Sequence, residues 1–364
     1  MNIVYIEPYY SGSHKKWIDS YKNYSKHNIK IISLPGNKWK WRMHGGAVTL
    51  ANQFLDLNEQ VDLVLCSDFL NLPVFKSLCE NKLNNIPIGM YFHENQLSYP
   101  WSPKDKDIFL KRDLHYHYIN YTSSLVADFN LFNSQFHLTS YITSIRKYLK
   151  KMPDFNNFET IDLIFNKSSV LYIGCELNNL NNFKLENKND IPLVLWNHRW
   201  EFDKNPELFF NTLIRLNKNG VNFKLAVLGE SFHNYPKVFD QARQELSKNI
   251  VHFGYLDSFN EYAKWLWKAD ILPVTSNQDF FGISIIEAVF CKTSPILPNR
   301  LSYPEIFDFD NNKNLFYNND QDFYQILKRT ILNKTDDKDL SYLIKKYDWH
   351  VIASKYDKTL SSFV

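Results

Sequence analysis

Ile271–Leu297, ILPVTSNQDFFGISIIEAVFCKTSPIL, reads as strand, loop, helix and strand in succession. Ile271–Val274 is a short apolar run, and Ser294–Leu297 is another. Between them Ile283, Ile286 and Phe290 recur at helical spacing, so Gly282 stands at or just before a helix N-terminus. A strand that returns through a helix to a second strand is the unit of a parallel sheet. The helix start carries more than architecture. Unpaired backbone N–H groups and the positive end of the dipole suit a phosphate there, and a glycine lets a diphosphate come close where a Cβ would block it. Phe281, Gly282 and Ile283 would line that approach. Asp279 and Glu287 flank it eight positions apart, and Glu287, one turn in, could accept hydrogen bonds from a ribose diol. The plainer alternative is a capped core helix with a solvated glutamate.

The same alternation extends outward. Strands are predicted at Leu193–Trp196, Phe223–Leu228 and Ile250–Phe253, with helices at Asn205–Asn217, Tyr235–Leu246 and Phe259–Lys268. The first half repeats it with strands at Asn2–Ile6, Lys30–Leu34, Val61–Cys66, Ile86–Phe92, Leu131–Asn133 and Ser169–Ile173. Helices are predicted there at Lys15–Tyr24 and Leu72–Glu80. The fold class is therefore α/β, with two Rossmann-like domains, 1–175 and 191–344, whose strand carboxyl ends face a cleft. The Asn-rich stretch 176–190, ELNNLNNFKLENKND, is the expected linker, and the amphipathic Ser341–Val364 is expected to be helical.

Composition sets limits. A chain of 364 residues that is 44% hydrophobic can fill two cores. A net charge of +3 does not by itself mark a nucleic-acid binder. Residues 1–175 hold 19 of the 42 Lys+Arg, 15 of the 39 Asp+Glu and seven of the eleven His, so any anionic partner is expected at that slightly basic half. Cys66, Cys79, Cys175 and Cys291 lack zinc spacing and read as buried thiols. The opening residues have no signal-peptide pattern, and no window approaches ~18 apolar residues. A soluble, cytoplasmic protein without a transmembrane segment is expected.

Several turns carry chemistry. Arg199 and Lys204 lie five apart after the first strand of the second domain, where two cations could hold a diphosphate and offset charge on a departing phosphate. A surface Arg and Lys at a helix start is the alternative. Gly229-Glu230 and Tyr255-Leu256 follow later strands and could meet a nucleotide, or could be ordinary turns. His93-Glu94-Asn95-Gln96 follows Ile86–Phe92 at its carboxyl end; His93 could contact a transferred sugar, and the next three an acceptor. A buried, satisfied histidine is the competing reading. No second ligand lies at metal spacing from His93, so no metal site is expected. Gly12-Ser13-His14 could form a phosphate loop, without the G-x-G-x-x-G of nicotinamide binders. Lys38-Trp39-Lys40-Trp41-Arg42 interleaves cations and indoles, which as a loop would suit RNA phosphates and unpaired bases. Its alternative is a solvated loop anchored by Trp. Arg146, Lys147, Lys150 and Lys151 form a basic helix end, either RNA-facing or merely solvated.

Taken together, these segments resemble the tRNA-queuosine α-mannosyltransferases. The carrying stretches are Glu7–His14 (EPYYSGSH), Leu34–Arg42 (LPGNKWKWR), Tyr91–Pro100 (YFHENQLSYP), His198–Pro206 (HRWEFDKNP) and Asp279–Phe307. The resemblance implies a GT-B fold whose C-terminal helix, 345–364, crosses back to complete the first, tRNA-binding domain. It implies a GDP-mannose donor held by Arg199, Lys204, Glu287 and the Gly282 helix end. It implies an acceptor queuosine in the anticodon loop of aspartate tRNA, and retention of configuration without a metal or other cofactor. Asp279 is one methylene shorter than the glutamate common at its position. Two rivals keep the fold: a transferase using another nucleotide sugar or a lipid or polysaccharide acceptor, and a non-catalytic RNA-binding module.

Overall fold

The computed structural model describes residues 1–102, 105, 107, 110, 114–185, 189–231, 235–333 and 339–364. Two compact units result: Met1–Gly174 with Trp349–Val364, and Cys175–Asp348.

The first unit is a parallel sheet of β1 (Asn2–Tyr10), β2 (Asn28–Pro35), β3 (Leu63–Ser67), β4 (Ile88–Phe92), β5 (Phe129–Phe132) and β6 (Ser168–Val170). Its order is β2-β1-β3-β4-β5-β6. The connecting helices are α1 (Gly12–Tyr24), α2 (Trp39–Leu55), α3 (Leu72–Leu78), α4 (Leu114–Val126), α5 (Gln135–Leu149) and α6 (Glu159–Asn166). Every residue of β3 and β4 is buried, as expected when helices cover both faces of a parallel sheet. Val4, Ile6, Leu50, Phe54, Val64, Met90, Phe92 and Tyr141 share one core. The chain order reverses between β1 and β3, where α/β sheets open a crevice at their carboxyl edge.

The second unit alternates more strictly. It comprises β7 (Leu193–Trp196), α7 (Pro206–Lys218), β8 (Lys224–Val227), α8 (Val238–Glu245), β9 (Ile250–Phe253) and α9 (Phe259–Lys268). Next come β10 (Ile271–Pro273), α10 (Ile283–Phe290), β11 (Ser294–Pro298), α11 (Tyr303–Ile306), β12 (Phe316–Tyr317), α12 (Asp320–Leu332) and α13 (Ser341–Ile344). The order β12-β11-β10-β7-β8-β9 reverses between β7 and β10, which is the Rossmann order read from the other edge. Among the described residues no helix is long and apolar enough to cross a membrane.

Three expectations need correction. Of Lys38–Arg42 only Lys38 precedes a helix: α2 begins at Trp39, because Met43, Ala47, Leu50, Ala51 and Phe54 form a buried helical stripe that continues back into this segment, so Trp39–Arg42 are not a loop. The stretch 176–190 is not a free linker. Asn178–Phe183 forms a 3₁₀ turn, Leu177 and Leu180 are fully buried, and Trp267 Nε1 donates to the Leu180 carbonyl at 2.7 Å. Residues 186–188 lie outside the described set. The closing segment is also not one helix: it breaks at Asp348, and only α14 (Trp349–Ser361) belongs to the first unit.

Asp357 fastens α14 to α1. Its Oδ1 accepts from Tyr21 OH at 2.9 Å and Ser25 Oγ at 2.7 Å, and its Oδ2 accepts from the Lys26 amide at 2.9 Å. Aromatic packing adds to this, with Trp349 stacked on Tyr21 at 5.7 Å between centroids. Asp357→Ala would leave the buried Tyr21 hydroxyl unmatched, costing roughly 1–3 kcal/mol, and would release the less buried Ser25 and Lys26 donors. Urea unfolding should therefore show the first unit weakened by about 2–4 kcal/mol, with Asp357→Asn losing less.

Candidate active site

In the second unit the loops after β7 and β10 meet at the reversal point. Thr275 Oγ1 donates to the carbonyls of Lys204 (2.8 Å) and Asn205 (3.0 Å), and the Asn277 amide donates to the Asp203 carbonyl at 2.7 Å. This stitching buries Lys204, whose Nζ donates to the Gln278 carbonyl at 2.7 Å and lies 3.4 Å from the carboxylates of both Asp203 and Asp279. A buried ammonium needs such partners. Asp279 Oδ2 also accepts from Tyr303 OH at 3.0 Å, so its carboxylate is committed to holding Lys204 in place.

Gly282 is the N-cap of α10, with φ +94° and no side chain to cap the helix. A Cβ would meet Ile285 Cδ1 and Tyr303 Cε1 at 3.2 Å, and the backbone conformation itself disfavours any L side chain. Phe281 is buried with its ring edge-on to Tyr347, and Ile283 is half-buried. Glu287, one turn in, is 6% exposed and its Oε2 accepts from Tyr262 OH at 2.9 Å. Burial and the Glu287 carboxylate both push that phenol well up. Arg199 is half exposed, 3.3 Å from Glu201 Oε2. Gly229 has φ +98°, and a Cβ on it would sit 1.9 Å from the His198 carbonyl oxygen. The neighbouring Trp200 amide donates to the Glu230 carbonyl at 2.9 Å, so this glycine sets how closely the two loops lie. Glu230 is exposed, Tyr255 is 59% exposed and Leu256 is half-buried at the next turn.

Sequence reasoning passed over Asn197 and His198, although both stand at the end of β7. Asn197 Nδ2 donates to the Ser284 carbonyl at 2.7 Å, and His198 Nδ1 lies 3.5 Å from Ser284 Oγ, so both face the first turn of α10. Burial, helped by the Lys204 charge, holds the His198 imidazole down at about 3 and therefore neutral. Among the described residues, Asn197 Oδ1 and His198 Nε2 are buried without a hydrogen-bond partner. Orphaned polar atoms beside an uncapped helix end mark a place for a polar ligand.

The first unit places a second polar cluster at its own reversal point. Glu7, on β1, is fully buried. Its Oε1 accepts from the Tyr9 amide (2.8 Å) and Ser67 Oγ (2.9 Å), and its Oε2 from Tyr5 OH (3.2 Å) and His14 Nδ1 (3.0 Å). Gly12 and His14 are not a loop but the first turn of α1, with Gly12 exposed at φ +52°. His93 packs against His14 at 4.3 Å between ring centroids, and its amide donates to Asp68 Oδ1 at 2.9 Å. Spacing in sequence suggested no metal cluster, yet ligand atoms of Glu7, His14 and His93 lie within 4.8 Å of one another. In this arrangement the Glu7 carboxylate accepts four hydrogen bonds, one of them from His14.

The remaining assignments separate. Gln96 Nε2 donates to Glu94 Oε1 at 2.9 Å, whereas Asn95 is fully buried with its Oδ1 taken by Ser98. Trp39 packs among Phe69, Trp101 and Tyr116. Lys40 is neutralised by Asp105 and Asp107 at 2.7 and 2.5 Å. Of that segment, Trp41 is 64% exposed, Lys38 is exposed, and Arg42 donates to Pro35 O and Asn37 Oδ1.

Comparison with known proteins fits this geometry. Residues 2–175 match the family model for the tRNA-queuosine alpha-mannosyltransferase N-terminal region, and residues 178–356 match glycosyl transferases group 1. A tRNA-queuosine alpha-mannosyltransferase from Drosophila melanogaster is 35% identical over 322 residues, covering 85% of this chain and 82% of its own. The chain belongs to the tRNA-queuosine alpha-mannosyltransferase family. Among solved structures, the N-terminal domain of a Candida albicans trehalose-6-phosphate phosphatase aligns with TM-score 0.74 at 12% identity, over 100% of this chain and 97% of that one. A lipopolysaccharide outer core galactosyltransferase aligns over 100% of both chains with TM-score 0.65 at 14% identity. At such identities these likenesses establish the fold alone, which is GT-B with two Rossmann-like units.

The two strained glycines make a contrast that can be measured. Gly229→Ala combines an unfavourable φ with a collision against backbone, and should displace the His198 turn and weaken nucleotide binding at least tenfold in calorimetry. Gly254→Ala has a similar backbone problem (φ +140°) but open space around the new methyl. It should cost only about 1–2 kcal/mol of stability and leave binding intact.

Proposed function

We propose that the protein transfers mannose from GDP-mannose to queuosine in the anticodon loop of tRNA, aspartate tRNA being the expected acceptor. The observation that carries this reading is the unfilled set at the head of α10: Gly282 without a cap, the orphaned His198 Nε2 and Asn197 Oδ1, and Lys204 buried beside them. That set suits a diphosphate and its sugar, and family membership supports the acceptor. In this reading Lys204 and Arg199 offset the charge that grows on the departing diphosphate. Glu287, oriented by Tyr262, receives the ribose hydroxyls. Asp279 works through Lys204 rather than on the sugar. The bond from the anomeric carbon to phosphate breaks as the bond to the acceptor hydroxyl forms. The hydroxyl proton passes to a phosphate oxygen on the same face, which retains configuration without a metal. Trp41, Lys38 and Arg42 offer an exposed indole and cations to RNA. The expected location is the cytoplasm, which a tRNA substrate supports.

Titration calorimetry with GDP, UDP and ADP tests the donor. GDP should bind preferentially, and Glu287→Ala should weaken it by roughly tenfold to a hundredfold, the loss of one or two strong hydrogen bonds. A preference for UDP would overturn the mannosyl assignment. Failure of the purified protein to mannosylate queuosine-containing tRNA would sink the acceptor. Arg199→Ala should lower kcat while leaving the KM for tRNA near the wild-type value.

A further inference from the structure

The Glu7 cluster lies outside the chemistry assigned above. A fully buried carboxylate must be paired or heavily hydrogen-bonded, and among the described residues the ion-pair partner of Glu7 is His14. His14 turns Nδ1 inward to Glu7. Its Nε2 lies on the opposite side of the ring and makes no hydrogen bond among the described residues, although the residue is only 5% exposed. The ring sits in the first turn of α1, a thirteen-residue helix whose N-cap, Ser11, makes no side-chain cap and whose first turn has no acidic residue. A ring nitrogen without a hydrogen bond among the described residues, a helix N-terminus and an exposed glycine thus share the first turn of α1, at the carboxyl edge of the β1–β3 reversal point.

We propose that Glu7 is a positioning residue that holds His14 as an imidazolium, making this edge of the first unit a standing cationic site for a phosphate ester. The assignment rests on the proposed transferase reading, and the ester is either the donor diphosphate or the tRNA backbone. The groups facing His14 favour the charged form from several elements: Glu7 from β1, Asp68 after β3 and Glu94 after β4. Although burial works against the charge, the net effect raises the imidazole to about 9. His93 takes the complementary role: burial, and next the His14 charge, push it well down, so the tilted ring pair carries a single positive charge. Burial raises Asp68 to about 8 against the pull of His14, so Asp68 supports the His14 charge only in its ionised form and Glu7 supplies the main anion.

The test is a histidine ¹⁵N spectrum of the full chain across pH 5–10, joined to the pH dependence of kcat/KM. In wild type the His14 ring should be cationic at pH 7.5, and kcat/KM should hold until it falls as pH rises through about 9. In Glu7→Gln, an isosteric change, the ring should lose its proton at or below about 6.5. The variant should then lose roughly thirtyfold at pH 8 and little at pH 6, the ratio of charged fractions for those two values. Binding at pH 8 assigns the source: a loss toward GDP names the donor, and a loss toward an unmodified anticodon stem-loop names the RNA. A neutral His14 ring in wild type at pH 7.5 would overturn the proposal. So would an unmoved pH profile in a folded Glu7→Gln, or zinc shifting the His14 and His93 resonances together. If the variant fails to fold, the wild-type titration still decides. A cationic ring in a protein that transfers no mannose would leave the charged site standing and remove the transferase reading instead.

Discussion

Parallel pairing is the constraint on which the rest of this molecule depends. Strands that all run one way must be joined by crossovers, and helices then cover both faces of each sheet. Every strand-to-helix turn consequently emerges on the same edge. Polar side chains with chemistry to perform have little other sheltered place to gather. At each reversal of chain order, neighbouring turns diverge to opposite faces and leave room between them. The loops after β7 and β10, and those after β1 and β3, are the two places where this happens, and both hold buried ionisable groups.

The two clusters solve the same electrostatic problem in different ways. Lys204 is a strongly basic group held by two carboxylates and a carbonyl, which take the place of the water that burial removes. His14 is weakly basic, and in the site inferred for the first unit its charge is favoured by the Glu7 carboxylate, which four donors hold in place. In each case a neutral imidazole stands beside the cation, His198 in one and His93 in the other, its proton denied by burial and by the neighbouring charge. A neutral ring can donate at one nitrogen and accept at the other, which a second cation could not do.

Much of the architecture was legible because buried parallel strands are short apolar runs. Leu193–Trp196, Ile250–Phe253 and the helix Phe259–Lys268 coincide with their sequence reading. Three features escaped, each for a local reason. The start of α2 was hidden by alternating cations and indoles, while its apolar stripe becomes regular only from Met43. The Asn-rich stretch after Cys175 looked like a tether because two leucines, Leu177 and Leu180, carry its packing. Glu7 sits in an apolar strand beside a proline, and nothing in its neighbourhood announces that Ser67 and His14 will close around it. Of the candidate site, Gly282, Glu287, Lys204 and Asp279 could be named from spacing. That Asp279 would hold Lys204, and that Asn197 and His198 would face α10 with orphaned atoms, depends on contacts between residues 75 to 87 positions apart.

The chain leaves the first unit at Gly174 and re-enters it at Trp349. The two passages run side by side, with the Cys175 amide donating to the Tyr347 carbonyl at 2.8 Å. On the ribosome this imposes an order. The sheet of the first unit is translated early, but the helix that covers Trp17 and Tyr21 is synthesised only after the whole second unit. At about 5–20 residues per second that interval is roughly 10–35 s. During it a broad aromatic surface stays exposed on a nascent polypeptide, a natural client for a chaperone that binds apolar segments.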